Sequence, residues 1–583
     1  MSKHVKLVYE FGPFRLDTAE RQLLRDGQPV QLTPKAFDTL VLLIQNGGRL
    51  LDKEDLMKKI WPDTFVEEAN LANNISLLRR VLGESSTEHQ FIETLPRRGY
   101  RFMASVTQVR DEAAELIASE TSVNLGHTGV GSIAVLPFKP LAPDGSDEYL
   151  GLGMADALIT KLSNIVDIIV RPTSAVRKYA GLEQDPVVAG RELRVESVLE
   201  GSVRRSHDRF RVTVQLVSVR DGVSLWAEKF DENCADIFAV EDSISEQVAK
   251  ALMLRLSGEQ KRLLKKRYTE STEAYQLYLK GRYYWNKWSH GGFTKAIEYF
   301  QQAIEKDPRY ALAYSGLADA YGLLGIQGFL STKETMPKAE AATLKALEID
   351  ERLAEAHVPL ACVRCWCDWD FAGAESEFKS SIELNPNYVT AHLPYALYLT
   401  AMGRFDEACA EIKKAQELDP FSLVLNATES YILYNARQYN RAIEQAINTL
   451  EMDANFYPAY ERLGEAYEQI EMYEQAIAAF QQAITLSEGS LFSVAQLGHA
   501  YALSGRSEEA RKVVEDLQVR LNREYLIAWV YAGLGEKDQA FKWLEKAYEE
   551  RDSSMVYLKV DPKLDSLRSD PRFADLLRRV GLS

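Results

Sequence analysis

One spacing governs the second half of the chain. Asn385, Asp419, Asp453 and Ser487 stand 34 residues apart, each closing a stretch of helical periodicity. A fixed period of roughly 20–50 residues marks stacked units, because a unit too small to bury its own apolar face must bury it against the next copy. Within the period, Tyr460, Leu463, Gly464 and Tyr467 are followed by Ala476 and Phe480, with small residues where two helices would cross closely. Tyr314, Leu317, Ala318 and Tyr321 repeat this pattern, as do Leu497, Gly498 and Tyr501, and Ala296 with Phe300 supplies a first copy. The pattern predicts about seven to nine helix pairs ending near Gly535, with Phe541 to Gly581 as a capping segment. Gly325 to Pro337 stretch one unit and are expected to form a longer loop.

The 34-residue unit resembles the tetratricopeptide repeat. The resemblance implies an all-α solenoid over residues 258–583 whose concave face receives a protein or peptide partner. A purely structural spacer is the alternative.

Composition constrains the remainder. A chain of 583 residues holds several domains, each able to bury its own core. The net charge of −16 argues against a protein that coats nucleic acid along its length. Residues 1–110 depart from that average, with 16 Lys and Arg against 14 Asp and Glu, a net of +2 that leaves −18 for the rest. The first segment can therefore approach DNA while the rest stays acidic. No apolar run reaches the roughly 18 residues that span a bilayer, and the opening MSKHVKLVYEFGPF lacks the apolar core of a signal peptide. Five cysteines do not make a disulfide framework in so long a chain, so reduced thiols and a cytoplasmic location are expected.

From Leu7 to Leu32, short strand-like runs are punctuated by Gly12-Pro13 and Asp26-Gly27. Thr33-Pro34 then opens a helix with Phe37, Leu40, Val41 and Ile44 on one face, ended by Gly47-Gly48. Asp52 caps a second helix holding Leu56 and Ile60. After the Trp61-Pro62-Asp63 loop, Leu71, Ile75, Leu78 and Leu82 recur on one face of a third helix, stopped by Gly83. Its opposite face carries Asn70, Asn73, Asn74 and Leu77, with Arg79 and Arg80 near the end. Two strand-like runs, Phe91 to Thr94 and Tyr100 to Met103, are joined by Pro96-Arg97-Arg98-Gly99. A helix backed by apolar contacts and showing amides and arginines, followed by a basic hairpin, suits a major-groove reader with a wing.

This segment, ending ETLPRRGYRF, resembles the winged helix-turn-helix domain of the OmpR/PhoB class. It stands first in the chain with no receiver domain before it, an order similar to that of CadC-, ToxR- and HilA-type regulators. The first two types carry a membrane span after this domain, and no such span follows here. The reading face of Asn70, Asn73, Asn74 and Leu77 is expected to meet base edges, and Thr33, Arg79, Arg80, Arg97 and Arg98 to meet phosphates. The resemblance further implies that Trp61, Pro62 and Asp63, in the loop ending at Phe65, touch RNA polymerase, and that the domain can pair as a dimer on DNA. Where the class often has a Glu, Ala36 stands, and no role is given to it.

Residues 111–131 read as a linker. From Ser132, a short apolar strand over Ile133 to Phe138, a helix over Leu150 to Leu162 and a strand over Asp167 to Val170 begin an α/β domain that extends to residue 257. Phe210, Val212, Val214 and Leu216 alternate with polar residues, and the alternation slips at Val217-Ser218-Val219, where a bulge or an end is expected. His207-Asp208 and Asp221-Gly222 are the flanking turns, and a helix from about Ala235 to Leu256 closes the domain. IAVLPF, VLEGSVRR and LWAEKFD resemble the N-terminal domain of TolB and FlgO-like domains, which implies an interaction or relay module.

Sites for chemistry are sparse. Cys362 and Cys365 share a helix face, with Cys367, His357 and His392 nearby in sequence, but a second CxxC pair is missing and small core residues account for them. Gly151-Leu152-Gly153 lacks the third glycine of a phosphate loop. There is no HExxH and no GxSxG. No catalytic residue, metal or cofactor is expected. The chain reads as a multidomain α+β protein: winged helix over 1–110, α/β domain over 132–257, helical repeats over 258–583. The corresponding function is a one-component transcriptional regulator, with a repeat scaffold whose winged helix binds protein as the alternative.

Overall fold

The computed structural model describes residues 8–17, 22–25, 28–30, 32–45, 49–60, 68–82, 91–95, 98–104 and 106–109, and then 131–141, 148–165, 168–180, 185–206, 209–233, 237–252, 254, 256–287, 289–326, 330–520 and 524–583. The chain divides into two compact units, residues 1–128 and 129–583.

In the first unit, β1 (Val8–Phe11) and β2 (Phe14–Asp17) turn at Gly12-Pro13 with Phe11 opposite Phe14. β3 (Gln22–Arg25) and β4 (Gln28–Val30) follow, and Arg25 pairs with Gln28; the turn expected at Asp26-Gly27 lies outside the described residues. The sheet has the order β4-β3-β2-β1-β8, with β8 at Thr107–Val109. Three helices follow β4: α1 (Pro34–Gln45), α2 (Lys53–Ile60) and α3 (Glu68–Leu82). The second sheet has β5 (Leu50–Asp52), β6 (Ile92–Leu95) and β7 (Gly99–Phe102) in the order β5-β7-β6. The hairpin strands differ by one residue from expectation because the ladder runs from Ile92↔Phe102 to Leu95↔Gly99. Phe11 stacks on Phe14 and meets Phe102 edge-on, with Phe91 beside them. Leu71, Ile75, Leu78 and Leu82 are all buried in the same core. Gly47-Gly48, Gly83 and the linker over 111–130 lie outside the described residues.

The second unit opens with a mixed sheet of order β11-β9-β12-β13-β14. Its strands are β9 (Gly131–Val135), β11 (Ile168–Val170), β12 (Ser197–Ser206), β13 (Arg209–Ser218) and β14 (Ser224–Asn233), with β10 (Lys139–Pro140) beside β12. β9 is parallel to β11 and β12, while β12, β13 and β14 are antiparallel. Val212, Val214 and Leu216 face the core, and the β13–β14 register shifts between Leu216 and Val217. That is the bulge the slipped alternation announced. The closing helix is Ile237–Ala251, shorter than expected. The His207-Asp208 turn lies outside the described residues.

Eight helix pairs follow among the described residues, their first helices starting at Thr272, Ala311, Ala354, Val389, Leu423, Tyr457, Leu491 and Glu524. The expected loop over Gly325 to Pro337 is largely helical instead. Ala311–Ile326 runs past Gly325, and Thr332–Ile349 begins before Pro337, which falls in its second turn. The small residues of the pattern have a steric reason: a Cβ on Gly464 would stand 2.6 Å from the Phe480 ring. First helices pack on the next first helices more closely than second helices on second ones, so they form the inner layer.

The sheet domain and the repeats share one core, in which Leu158 and Ile244 cluster with Tyr275, Leu279 and Phe300. Buried Arg171 donates to Leu193 O (2.8 Å), Arg194 O (2.9 Å), Glu417 O (2.6 Å) and Leu418 O (2.8 Å). Two of the 34-residue positions face this seam. Asn385 donates to Ser163 Oγ at 3.3 Å, and Asp419 accepts from Ser174 Oγ at 2.6 Å. The turn residues that punctuate the repeats thus also bolt the sheet domain to them.

Candidate nucleic-acid interface

The α3 helix turns by about 100° per residue, and Leu71, Ile75, Leu78 and Leu82 fix the direction of the core. On that wheel, positions 73 and 80 lie opposite the core, and 70 and 77 lie well round from it. Positions 74 and 79 are only about 70° away, on the two flanks. The side chains of Asn70, Asn73 and Arg80 lie outside the described residues. Leu77 is half-buried and packs against the edge of the core.

The flanking residues are engaged internally. Asn74 Nδ2 donates to Thr39 Oγ1 at 3.4 Å, and buried Thr39 donates in turn to Lys35 O at 2.6 Å, which seats α3 on α1. Half-buried Arg79 donates through Nη2 to Ile92 O and to Thr94 Oγ1, both at 2.7 Å, tying α3 to the first strand of the hairpin. From the sequence, Asn74 was expected at base edges and Arg79 at phosphate, whereas neighbouring elements hold both here. The signal that separates them was the angular step itself, which puts both within reach of neighbouring elements.

Thr33 is exposed and its Oγ1 accepts from Ala36 N at 3.3 Å, so it caps α1. Ala36 is fully buried. Lys35 Nζ donates to Ile60 O at 2.6 Å and closes the C-terminal end of α2. In the wing, a Cβ on Gly99 would stand 1.9 Å from Leu51 O, so only glycine lets β7 approach β5 this closely. The turn it anchors carries Arg98, exposed, whose carbonyl accepts from Lys53 N at 3.2 Å. Arg97 and the loop with Trp61, Pro62 and Asp63 lie outside the described residues.

The cysteine cluster sits in the third helix pair, where Arg364–Asp368 forms a π-helical turn. Burial pushes the Cys362 and Cys365 thiols well up, and that of Cys367 up to about 12, so they stay protonated and unreactive at neutral pH. His357 pairs with Glu377 at 2.5 Å and His392 with Glu411 at 2.7 Å, each carboxylate reaching from the next helix. No group of three or more metal-ligating side chains converges among the described residues. No helix among them is long and apolar enough to cross a membrane.

A winged helix, a mixed-sheet domain and tetratricopeptide-type helix pairs define a chain built like a DNA-binding regulator. Comparison with known proteins gives the same parts. The family described as "Transcriptional regulatory protein, C terminal" matches residues 27–102. "HilA/YgeH-like transcriptional regulator, second domain" matches 129–247, the segment of the mixed sheet. Tetratricopeptide repeats match 285–325, 391–422, 457–489 and 525–553. The transcriptional regulator HilA of Salmonella typhi is 23% identical over 517 residues, 88% of this chain and 83% of its own length. The transcriptional activator CadC of Escherichia coli (strain K12) is 29% identical over 111 residues, 19% of this chain and 22% of CadC. A putative adenylate cyclase 3 of Rhizobium meliloti (strain 1021) is 29% identical over 240 residues, and this chain spans only 40% of its length. The chain is homologous to HilA and CadC, with an OmpR/PhoB-type DNA-binding domain, a HilA/YgeH-like domain and tetratricopeptide repeats.

Proposed function

We propose that this protein is a sequence-specific transcriptional regulator that reads promoter DNA with α3 and its wing. The observation that carries the reading is the division of labour on α3. Asn74 and Arg79 brace the helix on both flanks, which holds the face between them rigid for the major groove. In this reading Asn70, Asn73 and Leu77 meet base edges. Arg80 and Arg98, with Arg97 and Thr33, meet phosphate. Arg79 and Asn74 act by positioning. The Trp61-Pro62-Asp63 loop touches RNA polymerase, the protein acts in the cytoplasm, and a dimer forms on paired half-sites.

The repeats take a protein or peptide partner, and the shared core with the sheet domain relays that event along the second unit. The segment held in common with the cyclase is read as a regulatory part rather than a catalytic one. The test is binding of the full chain to a selected promoter fragment and to scrambled DNA of equal length. Preference for the selected fragment that disappears in Asn73→Ala supports the reading, and equal binding of both fragments by the unaltered chain refutes it.

A further inference from the structure

In several helix pairs one residue follows the small position where the two helices cross: Arg282 after Gly281, Asp319 after Ala318, Cys362 after Ala361 and Glu465 after Gly464. At Glu465 the chain supplies its own cations, with Arg462 2.9 Å from Oε2 and Lys563 Nζ 3.1 Å from Oε1. Asp319 has no such supply. It is half-buried on helix Ala311–Ile326, and half-buried Glu355 on the next first helix, Ala354–Val363, lies within reach of its charge. Among the described residues neither carboxylate is bonded to a donor side chain or a cation. The neighbouring cations are already matched: Arg282 donates to Asp156 at 2.8 and 3.2 Å, and Lys266 to Asp350 at 2.5 Å. Burial lifts the Asp319 carboxyl to about 7, against the pull of Arg282 and with the Glu355 charge adding to the rise, and burial raises the Glu355 carboxyl as well. Tyr278 reaches the same place. It is 8% exposed, its ring lies against Phe300 and Tyr310, and its hydroxyl makes no hydrogen bond among the described residues. Burial, and then the Asp156, Glu355 and Asp319 charges against that of Arg282, hold this hydroxyl above the usual tyrosine range.

We propose that this recess on the inner layer takes the cationic end of a lysine or arginine from a peptide partner, with Asp319 and Glu355 as its anionic ligands and the Tyr278 hydroxyl as a further acceptor. The pairing at Glu465 shows the filled form of such a place in this chain, where the cation comes from Lys563, itself 3% exposed. At Asp319 the cation has to come from outside. Charge recessed in protein without a counter-ion is costly, and so is a buried hydroxyl without a bond, so both gain when an N–H cation enters. Among the described residues no third metal-ligating side chain converges on the two carboxylates, which leaves them far short of the oxygen shell of a calcium ion. The inference deepens the partner-binding reading of the repeats and rests on it.

The test pans a library of random peptides, each about twelve residues long, against the unaltered full chain and against full-length Asp319→Asn and Glu355→Gln. Peptides enriched on the unaltered chain should share a lysine or arginine at one position, and that shared residue should disappear from the peptides enriched on both variants. In calorimetry, replacing it by norleucine should weaken an enriched peptide at least about 10-fold on the unaltered chain and leave its affinity for the variants unchanged. Enriched peptides with no basic residue in common, or a common one that both variants still select, overturn the recess while leaving the repeats a peptide surface. No enrichment at all overturns both readings. Each variant removes a charge that lacks a counter-ion, so neither should melt below the unaltered chain. A lower melting temperature in both makes the carboxylates structural and overturns the proposal. Spermidine that binds the unaltered chain and neither variant, where no basic peptide is enriched, assigns the recess to a free amine and overturns the peptide occupant.

Discussion

Arg79 and Arg80 are neighbours in sequence with opposite expected roles, and separating them tests the geometry of α3. Arg79→Ala removes two charge-assisted hydrogen bonds of 2.7 Å to Ile92 O and Thr94 Oγ1. Each such bond contributes about 1.5–3 kcal/mol when buried. Arg79 is half-buried and its two bonds leave one nitrogen, so their sum is discounted to about 2–3 kcal/mol. For a domain of this size, about 4–8 °C of melting temperature follows each kcal/mol, giving a loss of about 10–20 °C for residues 1–110, whose core is its own. Arg80→Ala should change stability by less than about 0.5 kcal/mol but make the dependence of DNA affinity on salt shallower by about one phosphate. The assay is thermal unfolding of the two variants alongside binding to one DNA fragment at several salt concentrations. If Arg79→Ala melts with the wild type and instead flattens the salt dependence, Arg79 is a phosphate contact and the brace is wrong.

Asn73→Ala should cost about 1–3 kcal/mol of discrimination between a selected site and scrambled DNA, while Arg98→Ala should weaken both and lower the salt slope, as competition binding would show. Burial raises the Glu241 carboxyl to about 7, against the pull of Lys161 at 3.9 Å. Because the folded value lies above the unfolded one, the contribution of this group is present at about pH 4.5 and is lost as pH rises through 7. Glu241→Gln should therefore gain on the wild type across that window, by at most about 3 kcal/mol, in melting curves taken against pH. Cys362, Cys365 and Cys367 should resist iodoacetamide in the native protein at pH 7.5 and react only on unfolding, read by mass spectrometry.

Much of this architecture was legible because it repeats or alternates. The 34-residue spacing announced the helix pairs, and the four α3 leucine and isoleucine positions announced which face is buried. Even the break after Leu216 was visible as a slipped alternation. What escaped depended on contacts between segments far apart in sequence. No local pattern says that Asn385 and Asp419 meet Ser163 and Ser174, more than 200 residues away. Nor does any periodicity place Lys563 against Glu465, since the segment around it forms short 3₁₀ turns. The stretch at Gly325 to Pro337 misled because glycine and proline usually punctuate, whereas Pro337 sits in an early turn of a long helix. On α3, a two-face division hid the flanks where Asn74 and Arg79 do their bracing.

The central claim is that the first unit reads DNA sequence through α3 and the wing, and selection of binding sites from a random duplex pool by the full chain tests it most directly. The account predicts enrichment of a discrete site, bound with an affinity that falls steeply with salt, and loss of that enrichment in Asn73→Ala. A pool that emerges unenriched from the unaltered chain, or binding that does not respond to salt, would contradict it.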